Sequence, residues 1–122
     1  MIVSRQSIVI ETGNGMGKMY DELVTGLLDA LEGRAERIVL YGSVARGTAN
    51  EASDIDIAVL VRSPVDARTE DKLSDVVVDM NLKYDKVFSV IDIDNAVYNL
   101  WKEVVPFYRN VEREGIVLWK AA

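Results

Sequence analysis

The chain has 122 residues, a formal net charge of −6, 49% hydrophobic residues and a mean hydropathy near zero. These values suit one soluble globular domain with room for a core, and the acidic balance argues against a broad grip on nucleic acid, which needs clustered Lys and Arg. Cysteine and histidine are both absent, so disulfides, thiolate sites and imidazole catalysis are excluded, and any metal site must be built from oxygen, favouring Mg²⁺, Mn²⁺ or Ca²⁺ over Zn²⁺.

Residues 1–17 are expected to form an N-terminal arm or a short strand, with Ser7 to Glu11 as the strand candidate. Met1 to Ile10 is interrupted by Ser4, Arg5, Gln6 and Ser7, which is not a secretory signal. No apolar run approaches the roughly 20 residues that span a bilayer, so no membrane association and a cytoplasmic location are expected. The run from Thr12 to Lys18 invites a phosphate-loop reading and fails it. Thr12 stands where the first glycine is needed, and Met19 stands where Ser or Thr must follow the lysine. A flexible glycine turn is the simpler reading.

From residue 18 onward a single domain is expected. Met19, Leu23, Leu27 and Leu31 recur at steps of four, with Tyr20, Val24 and Leu28 beside them, which predicts a helix over 19–32 stopped by Gly33. Residues 37–41 form a short apolar run suited to a buried strand. Gly42 to Ser53 is a polar, glycine-containing loop in which one helical turn could run from Ser43 to Gly47. Residues 54–61 read as a second buried strand, ended by Pro64. Leu73, Val76, Val77 and Met80 mark a helix over 66–83 whose acids form a solvated face. A third strand is expected over 87–93, and a helix over 95–112 is capped by Asp94 or Asn95 and kinked or interrupted by Pro106. Trp101 and Tyr108, seven apart, would share its core or partner-facing side. Ile116 to Trp119 offers a last strand. This alternation predicts an α/β (α+β) domain.

Chemistry concentrates between Leu40 and Val59. In a strand, residues i and i+2 share a face, so Asp54 and Asp56 project together at the entry to an apolar strand. Two like charges beside a core are costly unless they are solvated at the strand end or neutralised by a cation. Paired carboxylates completed by substrate phosphates are the usual way of holding Mg²⁺. Gly42 and Ser43 follow the preceding strand, where a helical start can present backbone N–H groups to phosphate and glycine permits close approach. Arg46 adds a positive charge one turn on.

The stretch Gly42-Ser43-x-Ala45-Arg46-Gly47, followed by Ser53-Asp54-Ile55-Asp56-Ile57, resembles the signature of the minimal nucleotidyltransferases of the DNA polymerase beta superfamily. A looser resemblance runs from about residue 19 to the closing Glu114-Gly115-Ile116-Val117-Leu118. It implies a nucleotidyltransferase fold, a mixed β-sheet flanked by helices. It further implies a nucleoside triphosphate held by Gly42, Ser43, Arg46 and Ser53, and Mg²⁺ (or Mn²⁺) carried by Asp54 and Asp56 as the catalytic pair. The implied reaction transfers a nucleoside monophosphate, AMP foremost, to a protein or small acceptor. The resemblance also implies a helical HEPN-type partner, with this chain as its antitoxin, and an oligomeric assembly. A third acid completes the family's site on a later strand. Here Ser89 aligns best with it, and Asp92 is expected on the opposite face unless a bulge or the strand end redirects it. A catalytically impaired nucleotide-binding or interaction module is therefore the alternative.

Overall fold

The computed structural model describes residues 5–7 and 16–122. Helix α1 spans Met16–Leu31 and buries the predicted stripe: Met19, Leu23, Leu27 and Leu31 are all at most 2% exposed. It stops where Glu32 and Gly33 take positive φ values of 50° and 85°. Arg34 then ties the helix end down. Its Nε donates to the Leu31 carbonyl at 2.9 Å, and its Nη2 donates to the buried Thr69 hydroxyl at 2.6 Å.

Strand β2 (Ala35–Tyr41) runs directly into the short helix α2 (Gly42–Arg46), and a loop leads to β3 (Ile55–Val61). Helix α3 (Ala67–Tyr84) is capped by Asp66, whose carboxylate accepts from the Thr69 N–H at 2.9 Å. Strand β4 (Phe88–Asp94) ends in the residue that caps α4 (Asn95–Trp101): Asp94 accepts from the N–H groups of Ala96 and Val97 at 2.9 and 3.1 Å. Helix α5 (Pro106–Glu114) and strand β5 (Ile116–Ala121) close the chain, and β1 (Arg5–Ser7) pairs with β5.

The strands form one mixed sheet in the order β1-β5-β2-β3-β4. Among the described strands only β3 and β4 are parallel, joined through α3 by the crossover that a parallel pair requires. Side chains alternate across β3. Ile55, Ile57, Val59 and Val61 enter the core shared with α1 and α3, while Ala58 and Leu60 enter the second core with Tyr98 of α4 and Val111 of α5. The sheet is thus covered on both faces, the flanked mixed sheet expected. Within α1, Gly26 lets α3 come close, since a Cβ there would meet Val76 Cγ1 at 2.9 Å.

Several boundaries differ from the sequence reading. Helix α1 starts at Met16, so Gly17 and Lys18 are helical and the boundary drawn between residues 17 and 18 falls inside a helix. The N-terminal strand lies at 5–7, while residues 8–11 of the Ser7–Glu11 candidate, and the glycine turn before Met16, fall outside the described residues. The helix expected over 95–112 is two helices. Pro106 opens α5 at its first position, where its missing N–H costs nothing, and residues 102–105 turn the chain. Trp101 and Tyr108 consequently share no helical face: Trp101 is 45% exposed, whereas Tyr108 packs on Tyr98 at 5.4 Å between ring centroids.

Helices α4 and α5 meet at a buried polar contact. The fully buried Tyr98 donates its hydroxyl to Glu112 at 2.7 Å, and Arg37 of β2 reaches the same carboxylate at 3.3 Å. The Tyr98 bond, ahead of the Arg37 charge, holds the Glu112 carboxyl below its ordinary value. A depressed carboxylate adds stability that is present above its unfolded pKa and fades as pH falls through its folded one. Tyr98→Phe should therefore cost about 1–2 kcal/mol at neutral pH, with the loss shrinking in acid. Denaturant titrations at several pH values measure both.

Candidate active site

The site forms where β2 gives way to α2. In register, Tyr41 of β2 faces Asp56 of β3, and Asp56 faces Ser89 of β4. The three residues therefore lie in a row across the sheet, on the face shared with α4 and α5. Directly after Tyr41 the chain turns at Gly42, with φ +76°, and enters α2 with no side chain capping its first turn. Gly42 packs against the Asp56 side chain so closely that a Cβ would overlap its Oδ2 and lie 3.2 Å from its Cγ. Glycine is thus required here for both its backbone conformation and its missing side chain. Gly47, at the other end of α2, shares the φ of +76° but has open space where a Cβ would stand.

Asp54 lies exposed at the loop's end and Asp56 is half-buried one step into the strand. Burial raises the Asp56 carboxyl above its ordinary value, the Asp54 charge raises it further, and Arg46 opposes both. Tyr41 is raised as well, chiefly by burial and then by Asp56. Its ring takes the edge of Phe107 from α5, with centroids 5.4 Å apart. A cation beside the two carboxylates would relieve the cost recorded at Asp56, and the donors are the hard oxygens that Mg²⁺ or Mn²⁺ prefers. No cluster of three or more acidic or other ligating side chains occurs among the described residues. Two carboxylates leave the remaining coordination positions to water and phosphate, as Mg²⁺ commonly requires.

The other expected residues divide. Ser43 and Arg46 lie on α2, and the Arg46 charge acts on Asp56. Ser53 closes the loop: its hydroxyl accepts from the Asn50 N–H at 3.0 Å, and its own N–H donates to the Asn50 carbonyl at 3.0 Å. Ser89 stands beside Asp56, while Asp92 pairs with Val59 on the other face and lines a cavity of about 330 Å³ with Glu70 and Leu73 of α3. Burial, and then Asp92, raise the Glu70 carboxyl above its ordinary value. Sequence reasoning missed Tyr41, Phe107 and Glu114, which is 3.6 Å from Arg46. Tyr41 had a local signal, since it immediately precedes the glycine turn. The other two arrive through tertiary folding alone.

Gly47→Ala should cost about 1–2 kcal/mol of stability, the penalty of a left-handed backbone for an L-residue, and Gly42→Ala more, because its Cβ also overlaps Asp56. Only Gly42→Ala should also abolish the triphosphate binding that the sequence leads one to expect, because it alone displaces Asp56. Melting curves and calorimetric titration read the two effects separately. Because the folded Asp56 carboxyl is raised, its ionisation destabilises the fold progressively as pH rises from the unfolded pKa through the folded one. In metal-free buffer, Asp56→Asn should therefore melt higher than the unaltered protein above that window, with the difference vanishing below it.

The model of the nucleotidyltransferase domain family matches residues 22–116. A protein of Methanocaldococcus jannaschii named "Putative protein adenylyltransferase MJ0604" is 38% identical over 102 residues, covering 84% of this chain and 96% of its own length. A second from that organism, "Putative protein adenylyltransferase MJ0141", is 34% identical over 61 residues, 50% of this chain and 62% of its own. Among solved structures, a chain of a toxin–antitoxin complex with AMP-PNP has a TM-score of 0.59 at 24% identity, over 84% of this chain and 73% of that one. A chain from the complex of tri-AMPylated Shewanella oneidensis HEPN toxin with MNT antitoxin has a TM-score of 0.55 at 21% identity, over 85% and 71%. These two likenesses concern the fold. By the family match and the relative that shares nearly its whole length, the chain belongs to the nucleotidyltransferase domain family.

Proposed function

We propose that the chain transfers AMP from ATP to a hydroxyl of a protein partner of HEPN type, with Asp54 and Asp56 holding Mg²⁺ or Mn²⁺ and the turn at Gly42 and Ser43 receiving the phosphates. The observation that carries this reading is the packing of the Gly42 turn against the Asp56 carboxylate. It brings a backbone able to approach phosphate into contact with a carboxylate made costly by burial and by its neighbour. The protein acceptor rests on the adenylyltransferase relatives, and the HEPN partner on the toxin–antitoxin structures of like fold.

The chain's own residues divide the work. Gly42 and the first turn of α2 align the triphosphate, and Arg46 adds a cation on the same short helix. Asp54 and Asp56 would ligate the metal. When bound, it supplies charge neutralisation for the transferring phosphoryl group and its leaving pyrophosphate. Tyr41 and Phe107 form an apolar wall beside Asp56. We place the expected divide between arm and catalytic domain before α1 rather than after residue 17.

One observation favours a second reading. The strand position beside Asp56 is filled by Ser89, which cannot accept a proton as a carboxylate would, and Asp92 faces the other way. The domain would then bind Mg²⁺-triphosphate while turning over slowly without help from its partner. General-base assistance is worth about 10²–10⁴-fold in rate.

ATP radiolabelled in its α-phosphate, incubated with Mg²⁺, the chain and a candidate HEPN-type protein, separates these readings. Label should appear on the partner, disappear in Asp54→Asn and Asp56→Asn, and survive Asp92→Asn. Ser89→Asp should raise the rate toward the general-base range. If Asp92→Asn abolishes a transfer that Ser89→Asp leaves unchanged, the assignment of the third position is wrong. If Mg²⁺-triphosphate binds to the double Asp→Asn variant unaltered, the metal site is wrong.

A further inference from the structure

Arg46 ends α2 and Glu114 ends α5, and their Nη1 and Oε1 atoms are 3.6 Å apart. The side chains are 45% and 42% exposed, so the pair contributes little to stability. Nor does Glu114 serve its own helix. A carboxylate in the last turn faces the negative end of the helix dipole, and the helix end is already closed by the Gly115 N–H donating to the Val111 carbonyl at 3.0 Å. What fixes Glu114 is the turn after it. A Cβ on Gly115 would overlap the Val111 carbonyl and Val39 Cγ1. The chain therefore passes from α5 into β5 tightly against β2, which seats Glu114 against α2.

The contact itself is loose. At 3.6 Å it is longer than a hydrogen bond, and it engages one nitrogen of a group that carries five donors and prefers bidentate partners. A polyphosphate can offer what this carboxylate does not: several oxygens and a larger charge. The same positive charge also acts on Asp56, opposing the rise of its carboxyl. The cation thus touches one carboxylate outside the proposed metal pair and acts through its charge on another that a metal would claim.

We propose that Glu114 is an internal counter-ion for Arg46, displaced when the triphosphate binds, so that Glu114 sets the affinity threshold a phosphate ligand must exceed. The inference rests on the reading of Arg46 as a phosphate-binding residue. A tethered carboxylate competes at a high effective concentration, so small anions with one or two oxygens to offer are disfavoured and a metal-complexed polyphosphate is admitted. Glu114 acts through Arg46 and touches no reacting atom. It is a specificity-setting residue.

A double-mutant cycle tests this, with Mg²⁺·AMP-PNP binding followed by titration calorimetry on the unaltered chain, Glu114→Gln, Arg46→Ala and the double variant. Arg46→Ala should weaken binding. Glu114→Gln should tighten it about 2- to 5-fold, the range of an exposed ion pair, and the gain should vanish in the Arg46→Ala background. Melting curves check each fold, and Glu114→Ser repeats the measurement with a shorter neutral side chain. Equal tightening in both backgrounds would show mere removal of negative charge from an acidic chain and overturn the proposal. Unchanged or weakened binding in Glu114→Gln overturns it too, as does an Arg46→Ala variant that binds normally. Absence of binding by the unaltered chain would instead remove the proposed function, and this inference with it.

Discussion

A backbone turn and a carboxylate compete for the same space at the end of β2. Tyr41 and Asp56 are cross-strand partners, so the residue after Tyr41 has to turn over the Asp56 side chain, and only a residue without a Cβ fits. The rest of the site depends on this fit. Because the chain turns there, α2 begins at once, and it carries Ser43 together with Arg46, the cation whose charge acts on Asp56. Because Asp56 is covered by that turn, its charge is partly desolvated and its ionisation opposes folding. The protein thus maintains a partly desolvated acid, with a second beside it, at the mouth of the apolar strand β3, a cost that a bound cation would offset.

The sheet's two covered faces divide the acids between them. On the face with α4 and α5, Tyr41, Asp56 and Ser89 form a row walled by Phe107. On the face with α1 and α3, Asp92 meets Glu70 beside the hydrophobic side of α3. A one-residue difference in strand register would exchange the faces on which Ser89 and Asp92 stand. The in-register pairing of Phe88 with Ile55 holds that register by burying both in the core.

Much of this was legible in the sequence because it is local. The stripe of Met19, Leu23, Leu27 and Leu31 and the apolar run of β3 follow from periodicity within a few residues, although Asp54, expected as the first residue of that strand, stands one residue before it. The third strand position was also readable, since Ser89 and Asp92 are separated by an odd step and a regular strand places them on opposite faces. What could not be read was set by packing. The first turn of α1 reaches back through Gly17 and Lys18, residues whose turn-like composition hid it. Pro106 is marked as a kink or an interruption, but the sequence alone does not distinguish a bent helix from two helices with a turn of 102–105 between them. Ser53 reads as a ligand in its motif and takes its partner from Asn50 in the folded loop. The approach of Glu114 to Arg46 depends on β5 docking beside β2, which no local pattern announces.

The sheet order has a kinetic consequence. The acids and the glycine turn come together by pairing β2 with β3, strands adjacent in the chain. The central position of β2 also requires β5, the last strand, to travel back and insert between β1 and β2. Loop-closure entropy grows with the length of chain enclosed, and such non-local pairings slow folding. The acidic pair is therefore the inexpensive part of the site to assemble. Its surrounding wall, with Phe107 and Glu114, is the expensive part and sets the contact order. During synthesis, the two carboxylates leave the ribosome well before the segment that completes their enclosure.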